Sequence, residues 1–183
     1  MRVDDGRDFL AGTRRRYDVI TADLIQPYNA GAGNLYSQDY FRLAASVLKE
    51  DGLMLQWIGE QPVTQYRLIA RTFMSAFPYV TVWVDGKFLV GTKRPLRLSE
   101  SVYAQLLKDE YFQHALARAN IGGFRGLLGL YTAGQDQFRS FIGDGPVLSD
   151  DRPLVEYFLS LPKGEPLIDV HSLHGSAEDL LVK

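Results

Sequence analysis

Cysteine is absent from the 183-residue chain, which excludes disulfides, thiolate catalysis and Cys-based zinc sites and fits a reducing compartment. Histidine is scarce, with only His114, His171 and His174. The last two stand three apart, a spacing able to share a metal on a helical turn. Their place near the C-terminus reads instead as a solvated tail, and no metal is expected. No apolar run approaches the roughly 18 residues of a membrane span, and MRVDDGRDFL is no signal peptide. The chain is therefore expected in the cytoplasm, with no membrane contact of its own. Charge of one sign is also missing: the formal net charge is −2, with Lys and Arg spread along the chain, so no basic footprint marks a nucleic-acid partner. Repeats and low-complexity segments are lacking too.

What is present is 46% hydrophobic and 12% aromatic, enough to bury a core in one domain or one domain with an appendage. YDVITA, 17–22, is a nearly continuous apolar run ending at Asp23, as expected of a buried parallel strand. Ser37 predicts an N-cap, Asp39 the first turn, and Tyr40, Phe41, Ala44, Val47 and Leu48 the apolar stripe of a helix that Gly52 stops. LMLQWI, 53–58, predicts a second buried strand. Pro62 opens a helix whose stripe is Tyr66, Ile69, Phe73 and Phe77, and Pro78 closes it. Asp85-Gly86 between YVTVWV and KFLVGT predicts a two-residue hairpin.

Residues 1–97 thus predict an α/β sheet ending in an antiparallel hairpin, and 98–183 a mostly helical extension. Helix is expected over SESVYAQLLKDEYFQHALARAN and again over FRGLLGLYTAGQDQFRSF, then a turn and helix start at SDDRP, and a loose tail from Lys163. Two parallel strands and a hairpin are few for a doubly wound sheet, and MRVDDGRDF reads as the end of a strand and its turn. We therefore expect the front half of the sheet to be missing, the chain being the C-terminal part of a longer protein or the product of a gene start placed too late. Its exposed apolar strand edge favours dimerisation or aggregation, so a homodimer is the expected protein partner.

The loop after Asp23 carries Gly31 and Gly33, two glycines of a G-x-G-x-x-G dinucleotide fingerprint, but Tyr36 holds the third position and the loop is too long for a tight strand-to-helix turn. A dehydrogenase is a poor fit. DDGRDFL, YDVITAD, LYSQDYF, LKEDGLMLQW and the Asp-Gly hairpin, in that order, resemble the polyamine aminopropyltransferases, spermidine synthase and its relatives. VLSDDRPLVEYF resembles the Thr-Asp-Asp-Arg-Pro…Glu-Phe ending of bacterial spermidine-synthase-like proteins, many of them fused to membrane segments.

The resemblance implies a Rossmann-like domain of the S-adenosylmethionine-dependent methyltransferase type. It implies that decarboxylated S-adenosylmethionine is bound and its aminopropyl group passed to a small-molecule amine acceptor. Asp5 and Gly6 match the pair that reads the adenine, Asp23 the catalytic aspartate beside the attacking amine, Gln56 a glutamine beside the acceptor, and 24–34 a substrate-gating loop. The chemistry asks for such a carboxylate, because an alkyl-ammonium must lose a proton before its nitrogen attacks. The blander readings are a loop anchor for Asp23, a plain turn for Asp5 and a hydrogen-bonded strand end for Gln56.

Three features depart from that family pattern. The Asp-x-x-Asp-Pro of the family's loop here ends in Gln26-Pro27, so a dicationic diamine should bind more weakly. The hairpin VWVDGKFLV lacks the tyrosine expected near the acceptor. The glycine-rich loop and the acid that hold the rest of the cofactor have no counterpart. Asp150 or Asp151 would replace the missing acceptor carboxylate if the C-terminal region folds back over the pocket. Two alternatives share the fold, a methyltransferase using S-adenosylmethionine and a degenerate, non-catalytic domain.

Overall fold

Tyr17–Ala22 forms β1, whose Ile20 and Ala22 point into the core while Asp18, Val19 and Thr21 are exposed. The computed structural model describes residues 5–23, 26, 27, 29, 31–157 and 161–182. The expected gating loop, the first residues of the chain and the Phe158 end of the C-terminal motif therefore lie partly outside the described residues. Asp5 caps a short helix, α1 (Gly6–Gly12), ahead of β1.

After β1, a 3₁₀ turn (Gly33–Leu35) leads into α2 (Gln38–Val47), whose N-cap is Ser37 as predicted: its hydroxyl accepts from the Tyr40 amide at 3.1 Å. Tyr40, Phe41, Ala44 and Val47 are buried on one face. The helix gives way directly to β2 (Leu48–Trp57), so Gly52 lies inside the strand rather than ending the helix. A Cβ on Gly52 would stand 2.8 Å from the Tyr17 carbonyl oxygen, and the β1–β2 register shifts between Tyr17 and Val19. The glycine lets the two backbones close on each other at this irregularity.

Helix α3 (Val63–Met74) follows Pro62 and buries Tyr66, Ile69 and Phe73, with Phe77 just beyond it. The rings of Phe41 and Phe73 meet edge-on at 5.0 Å and those of Phe73 and Phe77 at 4.8 Å, locking α2 to α3. Strands β3 (Tyr79–Trp83) and β4 (Phe88–Thr92) form the predicted hairpin. Asp85 and Gly86 occupy the centre of a turn closed by Lys87 N–H to the Val84 carbonyl at 3.1 Å, with φ of 51° and 81°. Val84 is also left-handed, φ 53°, a strain of about 1–3 kcal/mol that persists only where the surroundings impose it. They do: the Tyr66 hydroxyl donates to the Gly86 carbonyl at 2.8 Å, and the Lys87 carbonyl accepts from Ile58 N–H at 2.9 Å.

The sheet order is β1-β2-β4-β3-β5, parallel between β1 and β2 and antiparallel elsewhere. β1 is thus an edge strand among the described residues, which explains the exposure of Val19 where a buried strand was expected. The fifth strand corrects the sequence reading. FRGLLGLYTAGQDQFRSF is not helical throughout but splits into α6 (Gly123–Leu128), β5 (Tyr131–Ala133) and α7 (Gln135–Ile142). Three residues carry no period, and β5 exists because the free edge of β3 pairs with it. The preceding helical stretch is likewise two helices, α4 (Glu100–Leu106) and α5 (Glu110–Arg118), separated where the Asp109 carboxylate caps α5.

Leu154, Val155 and Glu156 form a turn rather than the start of a helix, and a short 3₁₀ helix follows only at Ala177–Leu180. The tail from Lys163 is tied down rather than loose. Ile168 N–H donates to the Gln61 carbonyl at 2.9 Å, Gly175 N–H to Thr132 at 2.8 Å, and Leu173 is buried. Among the described residues no helix is long and apolar enough to cross a membrane.

Candidate active site

The C-terminal ends of β1 and β2 lie side by side, because Ala22 pairs with Gln56. Asp23, exposed, follows Ala22 directly. Gln56 is fully buried, in phase with Met54 and Ile58. Its Nε2 donates to the Trp57 carbonyl at 2.9 Å, while its Oε1 is buried without a partner among the described residues. An acceptor left so costs about 1–3 kcal/mol. Next along this edge, Gln26 accepts from Gln61 Nε2 at 2.9 Å, and the same nitrogen donates to the Ile58 carbonyl at 3.0 Å. The tail buttresses this corner: Pro62 bridges to Leu167, and the Glu165 carboxylate accepts from Thr64 N–H at 2.9 Å and its hydroxyl at 2.7 Å. Glu165 thereby supplies the cap that Pro62 cannot offer α3. Tyr36 is fully buried; burial first and the Asp23 charge second push its hydroxyl well above the usual tyrosine range.

A second cleft, about 400 Å³, is lined by Asp5, Arg7, Gly31, Asn34 and Asp150 among others. Asp5 Oδ1 accepts from the Arg7 and Asp8 amides at 2.9 and 3.0 Å, which makes it the N-cap of α1. A Cβ on Gly6 would meet no atom of the described residues within 4 Å, so their packing does not require the glycine.

Asp150 is held by both ends of the Arg7 guanidinium and by the Ser37 hydroxyl at 2.6 Å, while its own amide donates to Asp39 at 3.1 Å. The Arg7 bond, and then that of Ser37, keep the Asp150 carboxyl below the usual carboxylate range against the effect of burial. Arg7 also donates to the Asn34 carbonyl at 2.7 Å. Six residues on from Asp150, Glu156 accepts from Gly33 N–H at 2.7 Å, and a Cβ on Gly33 would stand 2.6 Å from that carboxylate. The C-terminal motif thus folds back onto the 31–37 segment and α1, with Asp150 bound to Arg7 and Ser37. Asp151 sits exposed in its turn. A larger cleft of about 460 Å³, lined by Tyr79, Arg97, Tyr131 and Asp179 among others, holds none of the sequence-predicted site residues.

The spermine/spermidine synthase domain model matches residues 1–82. Residues 1–82 are thus similar to the spermine/spermidine synthase domain. The chain is similar to polyamine aminopropyltransferase 2 of Aquifex aeolicus, with 24% identity over 128 residues, 65% of this chain and 26% of that protein. It is 33% identical over 82 residues to the polyamine aminopropyltransferase of Aeropyrum pernix, 43% of this chain and 26% of the relative. With the Bacillus subtilis enzyme of that name it shares 24% over 135 residues, 65% and 47% of the two chains. It spans less than half of each relative. A crystal structure of a probable spermidine synthase from Corynebacterium glutamicum superposes with a TM-score of 0.51 at 20% identity, over 81% of this chain and 53% of that one, and shows a common fold.

Among the residues that shape these two corners, sequence reasoning missed Arg7, Gln61 and Glu156. Glu156 stands inside the quoted C-terminal motif and Arg7 directly after Asp5-Gly6, so both were within reach. Gln61 carried no signal, because its role depends on the chain curling back at Ile58 and on the tail that supports it.

Proposed function

We propose that the chain forms the acceptor side of an aminopropyl-transfer site, with Asp23 as proton acceptor and counter-charge, Gln56 and Gln26 contacting the amine substrate, and Asp5 with Gly6 receiving the adenine of decarboxylated S-adenosylmethionine. In the reaction, an amine nitrogen attacks the carbon bound to the sulfonium. The new N–C bond forms as the C–S bond breaks, its electron pair neutralises the sulfur as a thioether, and the proton leaving nitrogen passes to Asp23 or to water beside it. Asp150 is proposed to act from the second cleft, behind Arg7, and Asp151 from the rim. The observation that carries this reading is that Asp23 directly follows Ala22, the strand partner of Gln56, whose buried Oε1 has no partner among the described residues. Acceptors at neighbouring strand ends suit an amine.

Asp23→Asn keeps the shape but removes base and charge. In the protein that carries this chain, transfer should fall by about 10²-fold or more, with cofactor affinity, measured by calorimetry, little changed. Normal turnover in Asp23→Asn would reduce the aspartate to a loop anchor.

A further inference from the structure

The orientation of two buried amides carries one step more, resting on the reading of Asp23 as the residue at the reacting nitrogen. A glutamine amide has a donor end and an acceptor end, and a backbone carbonyl accepts only a donor, so it decides which end faces it. Gln61 is 1% exposed, and its side chain meets the Ile58 carbonyl at 3.0 Å. The atom there must be Nε2. That same nitrogen meets Gln26 at 2.9 Å, so the Gln26 atom turned toward it must be the oxygen. The Gln61 main chain is fixed by Ile168 N–H on its carbonyl at 2.9 Å, and burial leaves its side chain no room to turn away. The Gln26 dipole is therefore pinned with its carbonyl toward Gln61, and its NH₂ group is the end left for a ligand.

Gln56 is pinned in the opposite sense. Its Nε2 is committed to the Trp57 carbonyl at 2.9 Å, and Oε1 is the end without a partner among the described residues. The edge thus has a polarity. Asp23 and Gln56 Oε1 are acceptors at the strand ends, and Gln26 offers a donor where the chain turns toward α3.

We propose that this polarity selects the acceptor substrate: an amine whose far end carries an uncharged or anionic hydrogen-bond acceptor, such as a hydroxyl or carboxylate, and not a second ammonium. The amine end meets Asp23 and Gln56 Oε1, and the far end accepts from Gln26 NH₂. A far ammonium would bring N–H against N–H with no counter-charge, and the unpaired donors cost more than the contact returns.

Four probes of equal carbon length test it: 4-aminobutan-1-ol, 4-aminobutanoate, 1,4-diaminobutane and butylamine. Calorimetry on the full chain should give the alcohol and the carboxylate about tenfold tighter binding than the diamine, the scale of one hydrogen bond gained against one donor stranded. Gln26→Glu keeps an oxygen for Gln61 to donate to and adds a second at the ligand side, so the order should reverse in favour of the diamine. The proposal is overturned if the diamine binds tightest to the unaltered chain, or if Gln26→Glu leaves the order unchanged. Asp23→Asn separates this from the function it rests on. If it weakens all four probes but the diamine still leads, only the polarity is wrong; if it changes none, or if none of the four binds, the reading of Asp23 falls and the polarity with it.

Discussion

Gln56 stands where β2, turning Leu48 and Met54 inward ahead of the buried Ile58, calls for an apolar side chain. In the sequence, Gln56 drew attention only because it matches a glutamine that the resembled family places beside the acceptor. The tertiary structure adds that one end of the amide is satisfied and the other is not. Gln56→Met has similar length and no polar atom, so it removes the stranded acceptor together with one modest hydrogen bond. The urea midpoint should hold or rise, within about 1 kcal/mol of the unaltered chain, while affinity for the amines above should fall. A loss of more than about 2 kcal/mol would mean that Oε1 has a structural partner after all. Gln61 shows the limit of such reading: nothing in Glu60-Gln61-Pro62 says that its amide fixes the direction of another.

Elements that are distant in sequence are joined by the 148–156 segment, which pins the 31–37 stretch through Ser37 and Gly33 and α1 through Arg7. Leu148 and Val155, both fully buried, anchor it. Asp150 is more than a third exposed on its side chain, so solvent screens the ion pair and Asp150→Asn should cost only about 1 kcal/mol. The pH dependence has a definite sign. Arg7 and Ser37 depress the Asp150 carboxyl in the folded chain, so its contribution is complete above the usual carboxylate range and is lost as pH falls through the depressed value. The stability gap between the unaltered chain and Asp150→Asn, followed by urea melts, should therefore be constant near neutrality and shrink below about pH 4. Hydrogen exchange at the Gly33 amide adds a local readout, and Glu156→Gln should speed it by weakening a charge-assisted bond.

At the scale of the whole molecule, β1 leaves one side of its hydrogen-bonding ladder open among the described residues, with Val19 54% exposed beside it. Such an edge seeks a partner strand. The isolated chain should self-associate by light scattering, and Val19→Lys should shift it toward monomer; a clean monomer without the substitution would contradict this. The order strand, helix, strand, helix, hairpin was legible because each element carries a local cause: Ser37 as cap, the Tyr66-Ile69-Phe73 stripe, Asp85-Gly86 at a left-handed turn. The aspartate ending YDVITA was legible for the same reason, a charge at the end of an apolar run. Strand β5, the bound tail, the role of Gly52 and the anchoring of Asp150 were not, because each depends on a partner tens of residues away. A three-residue strand has no period of its own, a glycine reveals its purpose only when the Tyr17 carbonyl lies 2.8 Å from its missing Cβ, and a carboxylate in a turn is ligand-facing or structural according to whether an Arg7 is folded against it. Local pattern determines which elements form; packing between them decides which polar groups are already taken and which are left for a substrate.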